Sequence, residues 1–265
     1  MGHKTLINGT AYEISGGKTL INGTGYEIAN GRTLVGGTGY DIAFLPAIGD
    51  LSVGSSVYLN VNGARREFLI VQQGLPSSRY DASCNGTWLL MKDLYELRAW
   101  NSTENNDYKS SEIHKYLNGL FLGLFESKVQ SCIKQVKIPY CNGAGGSFTL
   151  EYGSNGLSTK IFLLAGREVG VDSNWSIPDD ASPLSYFSSM NANNIRDEAG
   201  RVAYYNGSSK YWWLRSPHAR YEHTACNVTG KGWVSTTGTT SSDGIRPSLI
   251  LPSGTVYDES LNIIV

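Results

Sequence analysis

A seven-residue segment recurs three times at the start of the chain and limits how that part can fold: Lys4-Thr5-Leu6-Ile7-Asn8-Gly9-Thr10, then Lys18 to Thr24, then Arg32-Thr33-Leu34-Val35-Gly36-Gly37-Thr38, each copy fourteen residues after the last. A fixed period over three copies marks a repeated structural unit. Each copy sets an apolar pair before Asn-Gly or Gly-Gly and then Tyr-Glu-Ile or Tyr-Asp-Ile, the pattern of two short strands joined by a two-residue turn. A lone hairpin buries too little apolar surface to be stable. Leu6, Ile14, Leu20, Ile28, Leu34 and Ile42 are therefore expected to find partners in neighbouring repeats or in other copies of the chain. Pro46 and Gly49 punctuate the end of this pattern, which predicts a hairpin stem over 1–46 and a separate domain over 47–265.

Beyond Val57 the pattern becomes globular. Phe68-Leu69-Ile70-Val71 and Trp88-Leu89-Leu90-Met91 read as buried strands. Ser110 or Ser111 can cap a helix with Glu112 in its first turn and Ile113, Tyr116, Leu117 and Leu120 on one face. A second helix is expected over 125–133 and a short one over 184–191, with strands over 136–140 and 160–164. Asn142-Gly143-Ala144-Gly145-Gly146 lacks the lysine and the strand-to-helix setting of a phosphate cradle and reads as a connector.

Composition narrows the function classes. Lys+Arg 22 against Asp+Glu 23 gives no field to attract nucleic acid or an anionic membrane. No run of eighteen apolar residues is present, so no membrane-inserted helix is expected, and the polar start predicts synthesis in the cytoplasm without a secretory signal. Cys84, Cys132, Cys141 and Cys226 have no CxxC spacing and read as thiols, with a Cys132 to Cys141 bridge open if the protein leaves the cell. Gly 31, Tyr 16 and Trp 6 favour strands and turns over helical bundles.

The last third holds Tyr211-Trp212-Trp213-Leu214-Arg215-Ser216-Pro217, a polar stretch, and Gly244-Ile245-Arg246-Pro247-Ser248-Leu249-Ile250-Leu251. This frame resembles the variable proteins of diversity-generating retroelements in gut bacterial prophages, a likeness that extends through 73–78, 84–88 and 134–140. The resemblance implies an α+β fold, a C-type-lectin-like domain related to formylglycine-generating-enzyme-like domains, with a variable region over about 212–247. It implies a non-enzymatic receptor-binding or adhesion protein, on a virion (the phage tail) or the bacterial surface, whose partner is a protein or glycan on a bacterial cell. The N-terminal repeats look like attachment segments of such particles, and a homo-oligomer, a trimer, is expected. No cofactor and no metal is expected.

In that family adenine-directed copying errors scatter asparagine codons. The polar stretch offers His218, Arg220, Tyr221, His223, Thr224, Asn227, Thr229, Ser235, Thr236, Thr237, Thr239, Thr240, Ser241 and Asp243, all reachable from such codons. Glu222, Lys231 and Trp233 are not reachable from an asparagine codon ending in a pyrimidine, and Trp233 can be framework or ligand contact. Gly230, Gly232 and Gly238 supply turns, so a hairpin over 227–235 is expected to show Asn227, Thr229, Trp233 and Ser235 on one face. Trp212, Trp213, Leu214, Ile245, Leu249 and Ile250 are core types, and Arg215 and Arg246 are read as structural, each able to hold carbonyls or a carboxylate through several donors.

Three rivals stand beside this reading. Cys226 near His223 raises a formylglycine-generating-type enzyme, Asp172, Asn174, Asp179 and Asp180 near Trp175 raise a cation-dependent lectin, and the repeats alone are compatible with a purely structural tail component.

Overall fold

A computed structural model describes residues 46–142 and 149–265 and, within 1–45, the backbone of six strands. The chain divides into two compact units, 1–46 and 47–265.

In the first unit the strands are β1 (His3–Ile7), β2 (Thr10–Ser15), β3 (Lys18–Ile21), β4 (Thr24–Glu27), β5 (Asn30–Val35) and β6 (Thr38–Ala43). Each repeat makes one antiparallel hairpin in a single register, with Ile7 opposite Thr10, Ile21 opposite Thr24 and Val35 opposite Thr38. The turn residues at 8–9, 22–23 and 36–37 lie outside the described residues. β2 also pairs with β3, so the first two hairpins share a four-stranded sheet while β5 and β6 form their own. Alternation along the strands sets the positions of Leu6 and Ile14 on opposite faces, since Leu6 is opposite Ala11 and Ile14 opposite His3. Apolar positions thus occur on both sides of the hairpin. Ile28 lies outside the described residues.

The second unit opens with β7 (Ser56–Val61) and β8 (Ala64–Gln73), joined at Asn62-Gly63. Both turn residues have positive φ, 53° and 71°, as the tightest hairpin turn requires. The middle of the chain supplies β9 (Thr87–Met91), β10 (Leu97–Ala99), helices α1 (Glu112–Tyr116) and α2 (Ser127–Cys132), β11 (Val136–Ile138), β12 (Tyr140–Cys141), β13 (Leu150–Glu151), β14 (Leu157–Thr159) and β15 (Ile161–Phe162). There follow β16 (Ala203–Tyr205), β17 (Ser208–Lys210), β18 (Trp212–Pro217), β19 (Thr224–Val228), β20 (Val234–Gly238), β21 (Ser242–Gly244), β22 (Ser248–Leu251), β23 (Val256–Tyr257) and β24 (Ile263–Ile264).

Two five-stranded sheets organise the unit, β15-β22-β9-β8-β7 and β10-β21-β18-β19-β20. β9 and β18 are buried at every position, and a strand covered on both faces must be apolar nearly throughout. The two halves of the tryptophan- and arginine-bearing frame therefore belong to different sheets: Trp212–Pro217 lies in one and Ser248–Leu251 in the other. The polar stretch between them builds β19, β20 and β21 beside β18, and the chain crosses to the first sheet at 245–247. Trp88, Trp100, Trp212 and Trp213 are fully buried, with Trp100 stacked on Trp213 at 6.3 Å and Trp88 edge-on to Phe162 at 5.5 Å. The result is a mixed, strand-rich domain with few helices.

Some expected elements change shape. Ser111 caps α1, its Oγ accepting from the His114 N–H at 3.2 Å. Ile113 and Leu117 face inward, but Leu120 is 74% exposed and Phe121 takes its place. The physical reason is a π turn over Leu117–Phe121, whose extra residue rotates the buried face. The stretch 136–140 breaks into β11 and β12 at Pro139, which has no N–H for the ladder. Over 184–191 only a single 3-10 turn, Ser185–Phe187, forms, because tertiary partners take the local donors: the Ser185 N–H and hydroxyl both go to Gln72 Oε1, at 2.9 and 2.7 Å. Residues 143–146 of the glycine-rich connector lie outside the described residues. Among the described residues no helix is long and apolar enough to cross a membrane.

Candidate functional site

The frame is fixed by a buried ion pair. Arg215 and Glu168 have fully buried side chains, and the guanidinium forks onto the carboxylate with two bonds of 2.6 Å. Its remaining donors reach the Pro139 carbonyl at 3.0 Å and the Leu163 carbonyl at 2.9 Å. Glu168 also accepts from the Tyr80 hydroxyl at 2.7 Å and the Ala165 N–H at 2.9 Å. Burial alone would weaken the charge on Arg215, but the facing carboxylate more than offsets this and holds the guanidinium above its ordinary range.

Arg246 has a different environment. Its Nε donates to the Met91 carbonyl at 2.9 Å and its guanidinium carbon lies 4.9 Å over the Trp212 ring. With no ion-pair partner among the described residues, burial draws its pKa down to about 10. Arg201, to which the sequence reading gave no role, is also buried and hydrogen-bonds the Val169 and Asn191 carbonyls, while its own carbonyl receives Trp212 Nε1 at 2.9 Å.

The polar stretch forms a loop over 218–223 and the hairpin β19–β20, with Asn227 registered opposite Ser235. Arg220, Tyr221, Glu222, His223, Ser235 and Thr240 are exposed, and Thr224, Trp233, Thr236, Thr237, Ser241 and Asp243 are half-buried. Four expected surface residues lie inside: His218, Asn227, Thr229 and Thr239. Each is held by polar partners that polarity alone does not reveal. The Asn227 amide donates to Thr237 Oγ1 at 2.7 Å and Asp243 Oδ2 at 2.6 Å from the middle of a covered strand. Thr229 Oγ1 accepts the Trp233 N–H at 3.1 Å and so closes the turn, while the Thr239 hydroxyl donates to the Thr103 carbonyl at 3.0 Å. Of the face expected from alternation, Ser235 is exposed and Trp233 half-buried, the latter donating through its indole N–H to Asp197 Oδ1.

Loop 218–223 is held through its backbone. His218 Nδ1 accepts from the N–H groups of Arg220 at 2.9 Å and Tyr221 at 3.2 Å. Asn106, fully buried, donates its amide hydrogens to the carbonyls of Tyr221 at 2.9 Å and Thr224 at 2.8 Å. The His218 N–H itself goes to the Thr224 carbonyl at 3.0 Å. The side chains of Arg220, Tyr221, Glu222 and His223 point out of a loop anchored by its main chain. Asn106 carries no sequence signal of this role, being one asparagine in the polar run 101–107.

A row of four rings lies here, exposed at Trp175, Tyr221 and His223 and buried at His218. Trp175 lies 5.3 Å from His218, His218 is 4.7 Å from Tyr221, and Tyr221 is 5.8 Å from His223. Trp175 comes from a separate loop and is 59% exposed.

Two predictions arise from this clamp. Asn106→Leu leaves two carbonyls without their donor and is expected to cost about 2 kcal/mol, read by denaturant unfolding, with loss of amide-exchange protection centred on 221–224. The second concerns pH. Burial, with His223 and Arg220 nearby, holds the His218 pKa below its ordinary value, and only the neutral ring can accept at Nδ1. Because the unfolded chain takes up this proton first as the pH falls, the His218 contribution to stability is complete above about 6.5 and is lost as pH falls through the depressed folded value. Ring NMR should show His218 titrating below the ordinary range, with exchange of the Arg220 and Tyr221 amides rising in step; titration at or above the ordinary value contradicts this.

The residues behind the rival readings do not assemble a reactive centre. Cys226 is fully buried, its Sγ directed at the Ser176 and Pro217 carbonyls, while His223 is exposed. Burial, with Asp180 and Cys141 nearby, pushes its thiol well above the ordinary range. No disulfide joins the four cysteines. Asp172 pairs with Arg167 at 2.9 Å, Asp179 with Arg79 at 2.7 Å, and Asp180 accepts from the Ser216 hydroxyl at 2.7 Å. Asn174 Oδ1 accepts from the Ser176 N–H and hydroxyl and the Ile177 N–H. Among the described residues no group of three or more His, Cys, Asp or Glu is arranged to hold a metal ion.

Fold and site together define a mixed, strand-rich α+β domain in which a two-sheet body carries a backbone-anchored polar loop and hairpin. The chain belongs to the family described as a domain of unknown function (DUF6273), whose sequence profile matches residues 85–253, from just before β9 to just after β22. Comparison with curated proteins and with solved structures gave no match.

Proposed function

We propose that this is a non-enzymatic display protein: a C-type-lectin-like domain, diversified by a retroelement, that binds a protein or glycan ligand on a bacterial cell through the surface formed by 218–224 and 234–243. The repeats over 1–46 attach the domain to a phage tail or bacterial surface and bring copies together as a homo-oligomer, a trimer. The observation that carries this reading is the backbone clamp. His218 and Asn106 fix loop 218–223 through main-chain groups, so Arg220, Tyr221 and His223 can be exchanged without removing the bonds that shape it. Exposed substitutions away from caps, turns and ion pairs usually change stability by no more than about 0.5 kcal/mol. The buried, protonated state favoured for Cys226 speaks against a role as nucleophile.

Sequencing the locus in sibling strains tests the proposal. The expected result is substitution concentrated at Arg220, Tyr221, His223, Ser235, Thr236, Thr237, Thr240 and Ser241, with Trp212, Trp213, Arg215 and Arg246 unchanged. Substitutions spread evenly along the gene would favour a structural particle component instead.

A further inference from the structure

We infer that Trp175, from outside the polar stretch, is a fixed anchor of the ligand surface, and that the ligand is a protein presenting an apolar side chain to Trp175 and Tyr221. The inference rests on the reading above and names the partner class of that same surface.

Trp175 and Tyr221 flank the buried His218 ring and are 59% and 50% exposed. Large aromatic side chains are usually mostly covered, so two half-bare rings on either side of one buried imidazole form an apolar patch. Both are held: Tyr221 by the backbone clamp on its loop, Trp175 through its neighbours. On either side of Trp175 in the sequence, Asn174 Oδ1 takes three hydrogen bonds from Ser176 and Ile177, and the Ser176 carbonyl takes the Ala219 N–H at 3.0 Å. Rigid tryptophan and tyrosine with an adjacent arginine are the residue types that dominate binding energy in protein interfaces, because they bury large area at small entropic cost. Arg220 and His223 stand exposed on the same loop as Tyr221.

The middle of the patch is the two bare ring faces, with Asn174 Oδ1 taken by Ser176 and Ile177 and the exposed hydrogen-bonding groups supplied by Arg220 and His223. An apolar centre with a polar rim is the arrangement of protein interfaces. Apolar contact with rim bonds from Arg220 and His223 is what the patch provides.

The test uses random peptides displayed on phage, selected against the full chain and then measured individually on variants. Selected peptides are expected to lose binding roughly tenfold or more on Trp175→Ala, to recover most of it on Trp175→Tyr, and to be unaffected by Tyr204→Ala, an aromatic that is 48% exposed beside Arg66 and Asp93. Peptides that need Arg220, Tyr221 and His223 but are indifferent to Trp175→Ala would overturn the anchor and leave the display reading standing. Peptides indifferent to all four residues would contradict both. A glycan array giving saturable binding that Trp175→Ala abolishes would overturn the choice of a protein partner.

Discussion

Replacing Arg215 with methionine is expected to destabilise the domain by about 3–5 kcal/mol, the range for removing one partner of a buried ion pair. The variant would leave Glu168 in the core with only the Tyr80 hydroxyl and the Ala165 N–H for its two oxygens. It would also strip the donor from the Pro139 and Leu163 carbonyls, which lets go of the break between β11 and β12 and the end of β15. Most of the loss comes from the stranded charge, so adding Glu168→Leu to Arg215→Met should recover part of it, and the two substitutions should be strongly non-additive. Denaturant unfolding of the single and double variants reads both effects. A loss below about 1 kcal/mol for Arg215→Met alone would show that the pair is not the keystone described above.

Gly232→Ala is expected to cost about 3 kcal/mol although it lies within the polar stretch. Gly232 has φ of +83°, which a residue with a Cβ adopts only under strain, and a Cβ there would run into the Glu198 carbonyl oxygen. That backbone is not free to retreat, because the Glu198 N–H is bonded to the Lys231 carbonyl at 3.1 Å. Ser235→Ala, three residues along and exposed, should shift the unfolding free energy by no more than about 0.5 kcal/mol. The contrast between these neighbours separates turn scaffold from display surface within one short segment. Equal tolerance at both positions, measured by thermal melting, would mean that the turn is not constrained as described.

Different parts of the molecule were legible in the sequence to different degrees, for physical reasons. The hairpins over 1–43 could be read because a two-residue glycine turn fixes register locally. The core tryptophans were legible because apolar bulk in a strand has one stable place to go. Leu120 was misplaced because a π turn leaves no mark in spacing that assumes a regular helix. The polarity of His218, Asn227, Thr229 and Thr239 points to the surface, yet each is buried with partners supplied by the fold. The Thr239 partner, Thr103, is 136 positions away, and the bonds that fix the frame are long-range too: Asn106 reaches Tyr221 across 115 positions and Glu168 meets Arg215 across 47. Trp175 shows the same limit from the opposite side. Its neighbours Asp172 and Asn174 suggest a cation, whereas Arg167, Ser176 and Ile177 take their oxygens and the ring beside them is exposed as well.

The central claim is that shape and surface are separable in the last third of the chain, and one library measures it most directly. Arg220, Tyr221, Glu222, His223, Ser235 and Thr240 would be randomised together in the full chain, with a matched library at His218, Asn227, Thr229 and Thr239, and folded protein would be scored by protease resistance. Most members of the first library are expected to fold with resistance close to the parent, and few members of the second. Similar folded fractions in the two libraries, or collapse of the first, would contradict it.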